Sequence, residues 1–110
     1  MREKLIAFLI LSKNKVLVEK RKANDDFGAD AVWIPGGHVE KEKEPFQALK
    51  CELMEELNVK LEKSEFICEL PWNKNGKKHT IYYYFTRKFK GKIKNQEVAK
   101  LFFMNPNKLT

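Results

Sequence analysis

Long apolar runs and cysteines are both scarce in this chain of 110 residues. No apolar run approaches the roughly 18 residues that span a bilayer, and residues 5–11 are too few for a secretory signal, so we expect no membrane contact. The two cysteines, Cys51 and Cys68, are too few for a disulfide framework and lack the spacing of a zinc site. We therefore expect free thiols and a cytoplasmic location.

Glycine and proline are also infrequent, with five and four residues respectively. No repeat or low-complexity segment interrupts the chain, so nothing in it resembles a linker between domains. A hydrophobic content of 43% is enough for one core at this length. The sequence predicts a single domain over residues 1–110.

Positive charge is what the chain has in excess, since 22 Lys and Arg against 15 Asp and Glu give a net charge of +7. Such an excess serves solubility or attracts a polyanion. A nucleic-acid module would interleave basic residues with exposed aromatics, and only residues 82–85 with Arg87 approach that pattern. Alternation along a strand would divide these aromatics between two faces, which favours core packing over nucleic-acid binding.

The order of hydrophobic segments predicts mostly strands around one long helix, which is typical of an α+β fold. Residues 5–11 and 15–22 flank Ser12, Lys13 and Asn14 and predict a hairpin whose first strand is central in a sheet. Residues 22–31 and 91–97 are predicted loops. Further strands are predicted at residues 32–34, 65–70, 79–89 and 98–104.

The helix is predicted by clear signals at both ends. Pro45 suits its first turn, and Asn58 stands where a residue in the left-handed conformation would end it. An apolar stripe that would pack on the core is formed by Phe46, Leu49, Leu53 and Leu57.

Three glutamates, Glu52, Glu55 and Glu56, are the most informative residues of the chain. At about 100° per residue their i, i+3, i+4 spacing brings the three side chains to one helix face, within reach of a common point. Glutamate-rich faces are usually just solvated. Carboxylates that converge repel one another, however, and are readily explained by a hard divalent cation among them.

The segment GGHVEKEKEPFQALKCELMEELNV, residues 36–59, resembles the Nudix box, G-x5-E-x7-R-E-U-x-E-E-x-G-U, where U is aliphatic. The register holds without a gap from Gly37 through the three glutamates to Val59. Three positions depart from the box: Lys43 stands at the first Glu, Cys51 at the Arg and Asn58 at the last Gly. The Asn is a mild change because it tolerates the left-handed conformation. Losing the Glu and the Arg together leaves no charge unpaired.

The resemblance implies the Nudix fold, a mixed β-sheet between helices in an α/β/α sandwich with a central catalytic helix. It also implies hydrolysis of a nucleoside diphosphate linked to another moiety, with Mg²⁺ as cofactor or Mn²⁺ in its place. Glu55 and Glu56 become metal ligands, Glu52 a third ligand or the general base, and Glu97 the competing base. Implied substrate-binding residues are Arg21, which lies where MutT-like members carry a phosphate-contacting arginine, together with Gly36, Gly37 and His38.

Several alternatives stay open. MutT-like hydrolysis of nucleoside triphosphates is the first choice, while RNA 5′ ends and inositol pyrophosphates also suit the positive charge. Lys43 and Cys51 instead favour a nucleotide-binding sensor with weak catalysis. Residues 105–110 leave room for one helical turn, so we expect the fold's second helix to be short or missing. A sheet face left bare in this way predicts a homodimer or another covering partner.

Overall fold

The computed structural model describes residues 3–20, 32–74, 76–94 and 100–105. Within these ranges there are eight strands and one helix, in an α+β arrangement. Their bounds are β1 Glu3–Leu9, β2 Leu11–Ser12, β3 Lys15–Lys20, β4 Val32–Trp33, β5 Gly36–His38, α1 Pro45–Leu57, β6 Lys60–Lys74, β7 Lys77–Lys90 and β8 Lys100–Met104.

The larger sheet has the order β5-β1-β7-β6 and is mixed. Strand β1 lies in its interior, parallel to β7 and antiparallel to β5, while β6 and β7 form a long antiparallel hairpin. Residues Leu5 to Phe8 are all buried, because both faces of this strand are covered. The prediction of a central first strand in a mixed sheet is therefore confirmed.

The second sheet is antiparallel, and β3 pairs with β2, β4 and β8 in it. Lys13 and Asn14 both have positive φ, 51° and 64°, which suits the tight turn of a two-residue hairpin. The predicted hairpin is therefore confirmed at its turn, Lys13 and Asn14. The prediction of one strand over residues 5–11 is wrong, because the chain passes from the first sheet to the second at the buried Ile10.

Gly36 and Gly37 lie in the short strand β5 beside β1. Gly36 is opposite Ala7, and a Cβ on Gly36 would lie 2.0 Å from the carbonyl oxygen of Ile6. The missing side chain is what lets the two backbones come this close. The diglycine therefore brings the start of the box onto the central strand.

Helix α1 packs on the mixed sheet through Leu49, Leu53 and Leu57, which are at most 1% exposed. They join one core cluster with residues of β1 and β3, among them Phe8 and Leu17. Phe46, predicted in the same stripe, is 47% exposed. It lies in the first turn of the helix, and its ring centroid is 6.4 Å from that of Tyr84, with the two rings tilted by 56°.

The hairpin of β6 and β7 is longer than predicted at both ends. Large apolar side chains on β6 are exposed, namely Phe66, Ile67 and Leu70. Tyr84 is buried and Tyr82 packs against the core, in agreement with the preference for core packing of these aromatics. The helix found in the described residues is neither long nor apolar enough to cross a membrane.

Candidate active site

The carboxylate helix is fixed at both ends by local interactions. Pro45 occupies its first turn after Glu44, whose backbone N–H donates a 3.1 Å hydrogen bond to the side-chain oxygen of Gln47. At the other end Asn58 has φ 58° and ψ 39°, the left-handed conformation predicted for it. Its backbone N–H donates to the carbonyl of Met54 at 3.1 Å. Both predicted helix boundaries are confirmed.

The three glutamates of α1 lie at different depths. Glu56 is 6% exposed, Glu52 is half-buried and Glu55 is exposed. Glu52 and Glu56 follow the buried Ala48 at four-residue intervals, so this row of the helix faces the protein. The acidic face therefore runs from the interior to solvent, as a site open to a charged ligand requires.

Glu52 and Gly37 are in contact across β5 and α1. A Cβ on Gly37 would lie 2.3 Å from Cδ of Glu52 and within 2.7 Å of both carboxylate oxygens. The Glu52 carboxylate thus occupies the space that a side chain at position 37 would take. This seat joins the first glycine of the box to its first helical glutamate, 15 residues later.

The two main departures from the box, Lys43 and Cys51, also meet. Lys43 Nζ lies 3.6 Å from Cys51 Sγ and 3.8 Å from Glu40 Oε2. Both cysteines of the chain are free thiols, as predicted. The two changed positions therefore contact each other beside Glu52.

The donor chemistry of this face fits a hard divalent cation, because carboxylate oxygens are the ligands that Mg²⁺ prefers. Within residues 3–20, 32–74, 76–94 and 100–105, no three His, Cys, Asp or Glu side chains converge in a geometry ready to hold a metal ion. Assignment of Glu52, Glu55 and Glu56 as metal ligands therefore stays a prediction.

Other predicted site residues have mixed outcomes. His38 is exposed at the end of β5, on the same short strand as the seat of Glu52. Arg21 and Glu97 lie outside the described residues. Their roles stay predictions.

Two tyrosines of β7, Tyr83 and Tyr84, have raised pKa values, and Tyr84 lies near the start of the helix. Burial raises the pKa of Tyr84, and the neighbouring Tyr82 and the Glu44 carboxylate raise it further. Burial also raises the pKa of Tyr83, with a smaller contribution from Cys68. Both hydroxyls therefore ionise only at a higher pH than an ordinary tyrosine, because the pKa of each is raised.

Some polar and aromatic residues near the junction of the two sheets were not predicted. Glu19 on β3 is fully buried, although it follows the apolar run 16–18. His79, expected only to start a strand, is 6% exposed, and its Nε2 lies 3.2 Å from Glu3 Oε2. Trp33 and Trp72 meet edge to face at 5.7 Å. The continuous apolar run before Glu19 could have indicated a strand buried on both faces, whereas the other contacts join distant strands.

Comparison with known proteins agrees with the box and the geometry around it. The NUDIX domain family matches residues 2–110. The chain belongs to the Nudix family. An 8-oxo-dGTP diphosphatase of Buchnera aphidicola subsp. Acyrthosiphon pisum (strain APS) is 32% identical over 84 residues, which are 76% of this chain and 64% of that relative. This Nudix chain thus matches less than two thirds of the relative's length.

Solved structures share the fold. The E. coli ORF135 protein is 25% identical, with a TM-score of 0.81 over 99% of this chain and 78% of that one. The MutT NUDIX hydrolase from Burkholderia pseudomallei is 21% identical, with a TM-score of 0.85 over 96% of this chain and 84% of that one. The expected α+β Nudix fold and the resemblance to MutT-like members are confirmed.

Proposed function

We propose that this Nudix domain is a metal-dependent pyrophosphohydrolase of the MutT type, which hydrolyses a nucleoside triphosphate to the monophosphate and pyrophosphate. The observation that carries the proposal is the seat of the Glu52 carboxylate against Gly37. It joins the first glycine of the box to its carboxylate helix in space, although Lys43 and Cys51 depart from the pattern between them.

In the proposed reaction Glu55 and Glu56 would hold Mg²⁺ through their carboxylate oxygens, with Mn²⁺ as the alternative ion. The bound metal would supply charge stabilisation at the phosphate oxygens. Glu52, held in place by contact with Gly37, would take a proton from water or complete the ligand set, and Glu97 is the competing base. The water attacks phosphorus as the P–O bond to pyrophosphate breaks.

The substrate class is inferred from charge and from the family. A net charge of +7 favours a polyanion, and the acidic helix lies within this basic chain. The relative from Buchnera is named for 8-oxo-dGTP, so oxidised purine triphosphates are our first candidates. We assign Arg21, Gly36, Gly37 and His38 to phosphate or nucleotide binding, and we place the protein in the cytoplasm.

The experiment that tests this function is a substrate panel. Phosphate and pyrophosphate release would be measured from 8-oxo-dGTP, the common nucleoside triphosphates, dinucleotides, nucleotide sugars, an inositol pyrophosphate and a 5′-triphosphate RNA, with Mg²⁺, Mn²⁺ or chelator. We expect metal-dependent pyrophosphate release from a nucleoside triphosphate. Turnover confined to another class would replace the substrate assignment.

A second candidate is a nucleotide sensor with weak catalysis. The departures at Lys43 and Cys51 favour it, because they replace an acidic and a basic residue of the box. Nucleotide binding without turnover of any panel member would support the sensor instead.

We also propose a homodimer. Phe66, Ile67 and Leu70 lie exposed along β6, the edge strand of the mixed sheet, where a second copy could cover them. Light scattering coupled to gel filtration tests this, with twice the 13.0 kDa chain mass expected and a monomer contradicting it.

A further inference from the structure

The turn between β5 and α1 is tied together by Lys43. Its backbone N–H donates a 3.0 Å hydrogen bond to the carbonyl of Glu40, which closes the turn. Its ammonium lies 3.8 Å from the Glu40 carboxylate and 3.6 Å from the thiol of Cys51 on α1. One lysine thus connects both ends of the turn to the second turn of the helix. We call the group Glu40, Lys43 and Cys51 the lysine tether.

The lysine tether lies directly beside the candidate site. Cys51 precedes Glu52, whose carboxylate fills the space next to Gly37. Cys51 also lies one helical turn before Glu55, on the same side of the helix. The turn held by Lys43 connects β5, which carries Gly37, to the helix that carries the glutamates. Movement of this turn would therefore change the distance between Gly37 and Glu52.

The polar groups of the lysine tether are arranged so that the Lys43 ammonium can donate to a group on either side. The lysine ammonium lies between the Glu40 carboxylate and the sulfur of Cys51, and a donor between two acceptors is a favourable arrangement. The side chains of Lys43 and Glu40 are 39% and 77% exposed, so their charge attraction alone is partly screened by water. The contact to Cys51 is what connects this pair to the helix.

We infer that Lys43 is a positioning residue, which acts through Glu40 and Cys51 to hold the turn on α1 and so keeps Glu52 seated against Gly37. The chain has not simply lost two box residues, because Lys43 makes a connection of its own between the same two positions. For its kinetic consequences this inference rests on the proposed hydrolase function.

If the lysine tether acts in this way, each single substitution toward the box pattern should lower activity. The two substitutions combined should not. Cys51→Arg alone would place a guanidinium against the Lys43 ammonium. Lys43→Glu alone would place a carboxylate beside Glu40. Together the two changes bring opposite charges into contact, so the double variant should recover the activity that each single variant loses.

The first arm of the test measures kcat, KM and the Mn²⁺ dissociation constant, the last by electron paramagnetic resonance without substrate. Lys43→Met should lower kcat or Mn²⁺ affinity about 10- to 100-fold, the usual effect of losing a residue that orients a ligand. KM should stay within about twofold, since the lysine does not bind substrate. Lys43→Arg, which keeps the donor, should recover most of the loss. Lys41→Met, an exposed lysine of the same turn, is the matched control and should behave as wild type.

Three kinetic outcomes would overturn the inference. Lys43→Met could match the Lys41→Met control, or it could raise KM with kcat unchanged, which would make the lysine a substrate ligand. The third is a Cys51→Arg, Lys43→Glu double variant that is no better than the worse single variant.

The second arm uses the metal-free protein and requires no activity. A double-mutant cycle is measured by urea unfolding of four proteins: wild type, Lys43→Met, Cys51→Ala, and the variant that combines Lys43→Met with Cys51→Ala. We expect the loss in midpoint for the double variant to be smaller than the sum of the two single losses, because both changes remove one contact. Additive losses would overturn the tether. If wild type proves inactive on every substrate, the hydrolase proposal fails while this cycle still tests the contact.

Discussion

Gly37 leaves room for the carboxylate of Glu52, which would lie 2.3 Å from a Cβ placed on that glycine. No side chain fits there without movement of the glutamate. Gly37→Ala should therefore displace Glu52 and lower kcat at least about tenfold, as expected when an orienting contact is lost. Steady-state kinetics with circular dichroism would check that activity falls while the fold persists.

Gly76→Ala is the control for that substitution. Gly76 has φ +79° and nothing within 4 Å of a Cβ, so alanine there meets strain but no neighbour. It should cost roughly 1 kcal/mol of stability and leave kcat unchanged. Equal activity of the two variants would show that the seat of Glu52 is unimportant.

Asn58 ends α1 in the left-handed conformation, with φ 58°. Asn58→Ala should lower the free energy of unfolding by roughly 1 kcal/mol, because alanine lacks the short polar side chain that lets asparagine adopt this conformation. Asn58→Gly, which has no β-carbon, should be neutral or stabilising. Urea denaturation of the three proteins is the measurement. Equal stability of the alanine and asparagine proteins would contradict the assigned helix end.

Leu53 is fully buried in the core cluster, whereas Phe46 is 47% exposed on the same helix. Leu53→Ala should lower the free energy of unfolding by about 2–5 kcal/mol. Phe46→Ala should cost clearly less, because much of its ring already contacts water. Chemical denaturation would distinguish the two variants. A larger loss of unfolding free energy for Phe46→Ala would contradict the assignment of Leu53, rather than Phe46, to the core.

Tyr84 gives the protein an alkaline pH dependence, since burial, with Tyr82 and Glu44, raises its pKa above the ordinary value of 10.0. Below that pH the hydroxyl is neutral in both states and its contribution to stability is complete. Above it the unfolded chain ionises first, so stability falls as pH rises through the folded-state pKa. Tyr84→Phe should unfold with a weaker pH dependence above pH 10, measured by urea midpoints. An unchanged dependence would contradict the assignment.

The helix and its ends were predictable because their signals are local. Pro45 and Asn58 determine the boundaries through backbone conformations that involve only neighbouring residues. The unbroken spacing from Gly37 to Val59 was equally accessible, since the box is a linear pattern.

Features that depend on distant partners were not predictable. Gly36 and Gly37 have little preference for strands and pair with β1 only because that strand offers a free edge. Glu55 and Glu56 are neighbours in sequence, yet about 100° of rotation exposes one and buries the other. Periodicity alone also could not show that Phe46 is exposed while the three leucines of the same stripe are buried.

The role of the α1 carboxylates is tested by comparing wild type with Glu56→Gln in pyrophosphate release from nucleoside triphosphates during a Mg²⁺ titration. Glu69→Gln, an exposed glutamate on β6, is the matched control. We predict metal-dependent turnover by wild type and by the control, and a loss of at least about 100-fold in folded Glu56→Gln. Full activity in Glu56→Gln would contradict the claim that the carboxylates of α1 perform the reaction.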